Sequence, residues 1–251
     1  MKKIFVIVFL LATVAAWAQQ VPTMTMKPEM TEIWEPEVPI ITPGLKYGDA
    51  PSDAIVLFDG TTLATEWVSE RGGGVPSWSV EEGAMTVVPR TGGIRTKREF
   101  ENFQLHIEWR SPVVVKGESQ GRGNSGVFLQ GIYEVQVLDN FNNRTYRNGQ
   151  AASIYKQHPP MVNASRAPGE WQSYDIIYNA PIFKPDGTYL VPPRITVLHN
   201  GVVVQNAADV RGPTVYIGVP EYFVAPHGKG PIGLQDHGDL VSFRNIWIRE
   251  L

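Results

Sequence analysis

From residue 55 to the end, the chain is a succession of short apolar runs, each cut off by Gly, Pro or Asn. None of them keeps helical spacing for long. The clearest is FQLHIEWR at 103–110: Phe103, Leu105, Ile107 and Trp109 point one way and Gln104, His106, Glu108 and Arg110 the other, because strand side chains alternate with period two. A chain built of such pieces cannot bury its apolar faces in a helical bundle. It has to pack sheet against sheet.

Further strands are expected at 55–58, 78–80, 84–88, 126–130, 132–138, 171–178, 194–198, 202–205, 232–235 and 240–249, with turn signals at 82–83, 199–201 and 237–239. Asn200-Gly201, between two apolar runs, is a two-residue type I′ hairpin signal. The last strand changes phase: Val241 and Phe243 are odd-numbered, Ile246 and Ile248 even. A bulge at 244–245 would keep all four on one face. Residues 180–193 read as a Pro-rich loop. The fold class is all-β, an antiparallel sandwich or jelly roll, without internal repeats.

One stretch breaks the pattern of apolar strands. In NSGVFLQGIYEVQVLD (124–139), two strands meet at Gly131, and the second carries Tyr133, Val135 and Val137 on one face and Glu134 and Gln136 on the other. So apolar a face suits the middle of a sheet. The polar face must then look onto solvent, a partner or a cleft, with Asp139 just beyond the strand.

Bulk properties exclude several functions. Net charge is −3, from 22 Lys and Arg against 25 Asp and Glu, and no basic run marks a nucleic-acid or anionic-membrane surface. With no cysteine there are no disulfides, thiolate metal sites, cysteine nucleophiles or lipidated Cys. Lys2 and Lys3, the apolar run 4–16 and Ala16-Trp17-Ala18 form a secretory leader, expected to be cleaved after residue 18. That run is short of the ~20 residues of a membrane span, so export without a stable membrane anchor, to a bacterial periplasm or beyond, is the expectation. Residues 19–53 are Pro-rich and extended, with Trp34, Ile40 and Ile41 expected to pin them to the domain that begins at residue 54.

IVLFDGTTL, WSVEEGAMTV, NSGVFLQGIYEVQVLD, GEWQSYDI, VLHNGVVVQ and GPIGLQDHGDLVSFRNIWIREL occur in this order. Together they resemble the 3-keto-disaccharide hydrolase family, over residues 51–251. The resemblance implies a concanavalin A-like sandwich with a concave sheet holding the site, and action on glycosides already oxidised at C3 of the sugar ring. The chain departs from the family pattern at Gly238-Asp239 and in the loop at 180–193.

A C3 carbonyl acidifies the hydrogen on C2. A base can remove it, the enolate expels the C1 substituent, and water adds to the resulting glycal. Such a site needs a base, a donor or cation for the enolate oxygen and an acid at the leaving oxygen. Glu134 is the candidate base, His237 the candidate acid, and Asp139 a third catalytic candidate, otherwise a turn cap. Substrate-binding candidates are Glu108 and Arg110, expected to share a sheet with Glu134, and Gln136, Lys156, Tyr155, Gln235 and Asp236. Tyr133, Trp171 and Tyr222 are further aromatics able to stack on a sugar, although Trp171 suits the core better. His227 is a weaker candidate. No cofactor is implied. A divalent metal is left open, since His106, Glu108, Glu134, Asp139, His227 and His237 offer donors without any tight ligand spacing. The partner is a small-molecule carbohydrate. A non-catalytic carbohydrate-binding module and a glycosidase of unoxidised glycans are the competing readings.

Overall fold

The computed structural model describes residues 25–218 and 224–251. The expected leader at 1–18 and Tyr222 lie outside the described residues. Residues up to Ile40 group apart from Ile41–Leu251. In the described part of the first unit there is a short 3-10 helix, Pro28–Met30, and Trp34 and Ile40 are exposed.

The larger unit contains strands β1 (Ile55–Phe58), β2 (Trp67–Ser69), β3 (Ser79–Glu81), β4 (Ala84–Thr86), β5 (Ile94–Thr96), β6 (Phe103–Arg110), β7 (Ser125–Leu129), β8 (Tyr133–Val137), β9 (Gln172–Asn179), β10 (Ile182–Phe183), β11 (Tyr189–Val191), β12 (Arg194–His199), β13 (Val202–Asp209), β14 (Gly233–Leu234) and β15 (Ser242–Glu250). All pairings are antiparallel. The larger sheet runs β13-β12-β9-β6-β15-β4-β3, with β1 also on β15; the smaller runs β2-β5-β14-β7-β8. This is the expected all-β sandwich. The loop at 180–193 forms a separate hairpin, β10 with β11. Strands β2 and β5 escaped the sequence reading because three-residue strands show too little alternation.

The alternation in 103–110 does what period two requires. Phe103, Leu105, Ile107 and Trp109 are wholly buried between the sheets. Tyr178, Ile176 and Tyr174 of β9 lie across from Phe103, Leu105 and Ile107, and each is also buried. The phase change in β15 is resolved as expected: the register shifts between Arg244 and Trp247, Asn245 takes φ +46°, and Phe243, Ile246 and Ile248 all reach the core. Asn200 and Gly201 both have positive φ, as a type I′ turn needs.

Two tyrosines of the larger sheet bolt it to the smaller one. Tyr174 Oη donates to the Gln136 carbonyl at 2.8 Å, and Tyr178 Oη to Gln130 Oε1 at 2.7 Å. Strand β8 is the last strand of its sheet, not a middle one. Its outer edge is covered by an irregular segment: Gln136 N donates to Ser153 O, Ala152 N to Gln136 O and Tyr155 N to Glu134 O. An apolar strand is thus kept from presenting a bare edge.

On the outer face of the larger sheet, His106 is buried beneath the chain around Tyr47 and Gly48. Its Nδ1 lies 2.7 Å from Asp175 Oδ1, the Trp247 ring stacks on it, and Tyr47 meets it edge-on. Trp247 Nε1 and Asn245 Nδ2 donate to Gly48 O at 2.8 and 2.9 Å. Burial opposes a charge on His106, but its hydrogen bond to Asp175 and the Glu108 carboxylate 3.8 Å away outweigh that and push its pKa up to about 9. Glu108 shows the mirror case: burial is outweighed by His106, Asn245 and Arg244, and its pKa falls to about 2.

Two outcomes follow for stability. Gly48 has φ +90°, and a Cβ there would stand 3.1 Å from His106 Nε2 and 3.3 Å from Asn245 Nδ2. Gly48→Ala should therefore cost more than about 1 kcal/mol, measured by denaturant unfolding. A raised histidine pKa gives stability that is complete below 6.5 and is lost as pH rises through about 9. The wild-type minus His106→Gln difference in unfolding free energy should shrink across that window; a difference flat in pH would refute the imidazolium.

Candidate functional site

Strand register assembles the site on the outer face of the smaller sheet. Glu134 on β8 lies across from Phe128 on β7, and Gln136 from Gly126. On the other side of β7, Gly233 pairs with Phe128 and the Gln235 N–H donates to Gly126 O. Gln136, Gly126 and Gln235 thus form one row, with a glycine in the middle. The sequence alone signals this position, since a Gly inside a strand marks close approach. A Cβ on Gly126 would overlap the Glu134 carboxylate, which folds back over it.

The resulting cavity, of about 200 Å³, is lined by Asn124, Phe128, Glu134, Gln136, Tyr155, Thr214, Tyr216, Gln235 and His237. The edge-covering segment delivers Tyr155, whose hydroxyl lies 2.8 Å from that of Tyr146. Thr214 Oγ1 accepts from Glu134 N at 3.0 Å and donates to Ile132 O at 3.2 Å, which holds the 211–218 segment against β8. Lys156 puts its Nζ 4.2 Å from the Tyr146 ring centre, 5.6 Å from Tyr216 and 5.8 Å from Tyr155. Its charge therefore sits on aromatic faces beside the cavity.

Glu134 is 6% exposed. Among the described residues, none of the ion pairs involves its carboxylate. Burial pushes its pKa up to about 8. The neighbouring Gln136 amide turns its nitrogen towards Glu134, donating to Oε1 at 2.9 Å and to Ser125 O at 3.1 Å. The reverse orientation would set its oxygen against two acceptors, that carboxyl oxygen and the Ser125 carbonyl. Gln235 adds a buried Oε1 with no partner, an acceptor free for a ligand hydroxyl. His237 stands exposed at the mouth.

Of the residues singled out in the sequence, Glu134, Gln136, Tyr155, Gln235 and His237 come together, with Lys156 adjacent. The others do not. Glu108 and Arg110 belong to β6 in the opposite sheet, not to the sheet of Glu134, because β6 pairs with β9 and β15. There Arg244 Nε donates to Glu108 Oε2 at 2.6 Å, and the Arg110 and Arg244 guanidinium groups stack on the Trp171 ring at 4.7 and 4.1 Å. Trp171 is half-buried on that outer face and not in the core. Asp139 closes its turn: Arg122 Nε donates to Oδ2 at 2.7 Å and Phe141 N to Oδ1 at 3.2 Å. Asp236 likewise accepts from Gly92 N and Gly238 N. Tyr133 faces the core, where its hydroxyl meets His227 Nε2 at 2.9 Å.

Asn124, Gly126, Phe128, Thr214 and Tyr216 were missed as site residues. Thr214 and Tyr216 sit in a segment without periodicity, so nothing in the sequence points to them. The six candidate metal donors are scattered over both sheets and the loops. Among the described residues, no group of three or more His, Cys, Asp or Glu side chains could hold a metal ion.

Comparison with known proteins adds an independent finding. The model of the 3-keto-alpha-glucoside-1,2-lyase-like domain matches residues 53–249. A Bacteroides thetaiotaomicron protein named 3-keto-disaccharide hydrolase is 29% identical over 243 residues, covering 80% of each chain. A solved Parabacteroides distasonis protein, provisionally named a glycosyl hydrolase, is 55% identical, with TM-score 0.85 over 90% of this chain and 97% of its own. A second one from that organism, at 23% identity and TM-score 0.59 over 79% and 94%, shares the fold.

A carboxyl whose pKa is raised by folding makes the protein less stable as pH climbs from 4.5 to about 8, since the unfolded chain gives up the proton first. Glu134→Gln removes that penalty. Its melting temperature should exceed wild type by a margin that widens from pH 5 to 8. Carbon-13 NMR of labelled glutamate should find one carboxyl titrating near 8; every carboxyl titrating below 5.5 would contradict the burial argument.

Proposed function

This chain belongs to the 3-keto-alpha-glucoside-1,2-lyase-like family, and from that premise we propose that it cleaves 3-keto-glycosides, 3-keto-disaccharides among them, by elimination and hydration. The observation that carries the reading is Glu134, a buried carboxyl without a cationic partner among the described residues, its pKa pushed up by burial to about 8. An ordinary carboxylate, titrating near ~4.3, is a feeble base towards a carbon acid. At pH 7 roughly a tenth of Glu134 is ionised, and that fraction is a much stronger base.

The proposed reaction begins with transfer of the C2 proton to Glu134. The electron pair left on C2 moves into the C3 carbonyl and gives an enolate. Lys156, held beside the cavity on tyrosine faces, supplies positive charge towards that oxygen. As the C3 carbonyl re-forms, a C1=C2 double bond develops and the C1–O bond to the leaving alcohol breaks. His237 at the mouth protonates the departing oxygen. Water then adds its oxygen to C1 while C2 recovers a proton from Glu134, giving the free 3-keto sugar. Gln136 and Gln235 receive ring hydroxyls. Gln136 also turns its amide nitrogen to Glu134 and so supports the ionised state.

A glycosidase of unoxidised sugars would require a pair of carboxyls flanking the bond. Among the described residues, Glu134 is the single carboxylate lining this cavity. A binding module would gain nothing from a buried, uncompensated acid, which opposes folding. The proposal includes export, on the support of the leader-like residues 2–18.

Incubation of the mature protein with methyl 3-keto-glucoside and with its unoxidised parent separates the readings. Release from the keto compound alone, lowered about 10²–10⁴-fold in Glu134→Gln, is expected, with one deuterium at C2 of the sugar released in D₂O. Binding of either compound without turnover would sink the proposal. The profile of kcat/KM should rise with pH and level off above about 8. In Gln136→Leu, which loses the donor to the ionised form, that limb should move to higher pH.

A further inference from the structure

A second and larger cavity, of about 550 Å³, lies at the end of the sandwich where β4, β6 and β8 end and β7 and β15 begin. We propose that this cavity receives the leaving group of the substrate, and that the leaving groups it fits are apolar alcohols. The inference rests on the proposed reaction and adds the class of aglycone.

Three observations support it. The candidate site is small. At about 200 Å³ it falls below the ~300–1,000 Å³ of pockets that enclose a whole ligand, so one sugar ring fills it and the C1 substituent must lie outside. The second cavity is its neighbour through two turns. Asn124, Gln235 and His237 line the first; Gly123, Gly238, Asp239 and Leu240 line the second, and Asn124 N donates to Asp239 Oδ2 at 2.8 Å. An oxygen leaving beside His237 is thus at the dividing wall.

The third observation is chemical. Part of the wall of the second cavity, which also carries Arg110, Lys116 and Arg122, is apolar: Val113, Val114, Val115 and Leu240, which are 73, 68, 47 and 52% exposed. Apolar side chains gathered in this way gain from being covered. At their foot, the Ser111 Oγ is buried without a hydrogen-bond partner. The two carboxylates of the lining are already engaged, Asp139 by Arg122 and Asp239 by Asn124 N. The apolar part of the wall suits the carbon skeleton of an alkyl or terpenoid-like alcohol, and Ser111 offers a hydroxyl for an oxygen on it.

The test compares hexyl with methyl 3-keto-glucoside, whose leaving alcohols are of similar acidity, in wild type and in Val114→Asp/Leu240→Asp. Wild type should favour the hexyl compound about tenfold in kcat/KM, as covering several methylene groups implies. The double variant should lose that preference, chiefly through KM, and handle the methyl compound as before. Equal kcat/KM for the two compounds in wild type, or a preference that survives the double variant, overturns the aglycone site. If neither compound is cleaved, the proposed reaction is what fails. Calorimetric binding of the hexyl and methyl compounds to Glu134→Gln, with and without the two aspartates, then still decides whether the second cavity holds the alkyl chain.

Discussion

A carboxyl group buried without a cation governs this structure. Removing an ionised carboxylate from water costs several kcal/mol even after relaxation, and Glu134 meets that cost by staying largely protonated near neutrality. Its surroundings are built around it. Gly126 gives up a side chain to make room for it, the Gln136 amide turns its nitrogen to it, and Thr214 fixes the backbone that carries it. The strand beneath is locked from the opposite sheet by Tyr174 and sealed at its edge by residues 152–155. That packing keeps the carboxyl buried, and burial is what holds its pKa above the ordinary value.

The two outer faces of the sandwich treat charge in opposite ways. On the larger sheet His106, Glu108, Asp175 and Arg244 stand against one another, and the ionised forms of His106 and Glu108 are favoured. That network contributes stability and leaves His106 and Glu108 poor at exchanging protons near neutrality. On the smaller sheet Glu134 lacks such company, which weakens the fold there and leaves a group able to take a proton from carbon.

Much of this was legible in the sequence because period two is a local property. It assigns Glu134 and Gln136 to one face of β8, and the phase change in β15 to a bulge. The QDHG turn put Gln235 and His237 forward through the family resemblance. Which strands share a sheet is not local. The error over Glu108 and Arg110 arose there: both are polar, strand-borne and well spaced, yet β6 pairs with β9 and β15. Asp139 could equally cap a turn or bind a ligand until Arg122, distant in sequence, was seen beside it. Thr214 and Tyr216 reach the cavity on a segment whose course is set by what it packs on.

The wall of the cavity is drawn from four stretches far apart in the chain, around 124–136, 155, 214–216 and 235–237. No fragment of the polypeptide contains it. Closing such long loops comes late and slowly in a sandwich, so the pocket cannot exist before the whole sandwich has closed. A ligand that occupies it binds only the finished molecule, and by mass action draws the entire chain towards the folded state. Occupancy of this one small cavity therefore reports on the integrity of the domain as a whole.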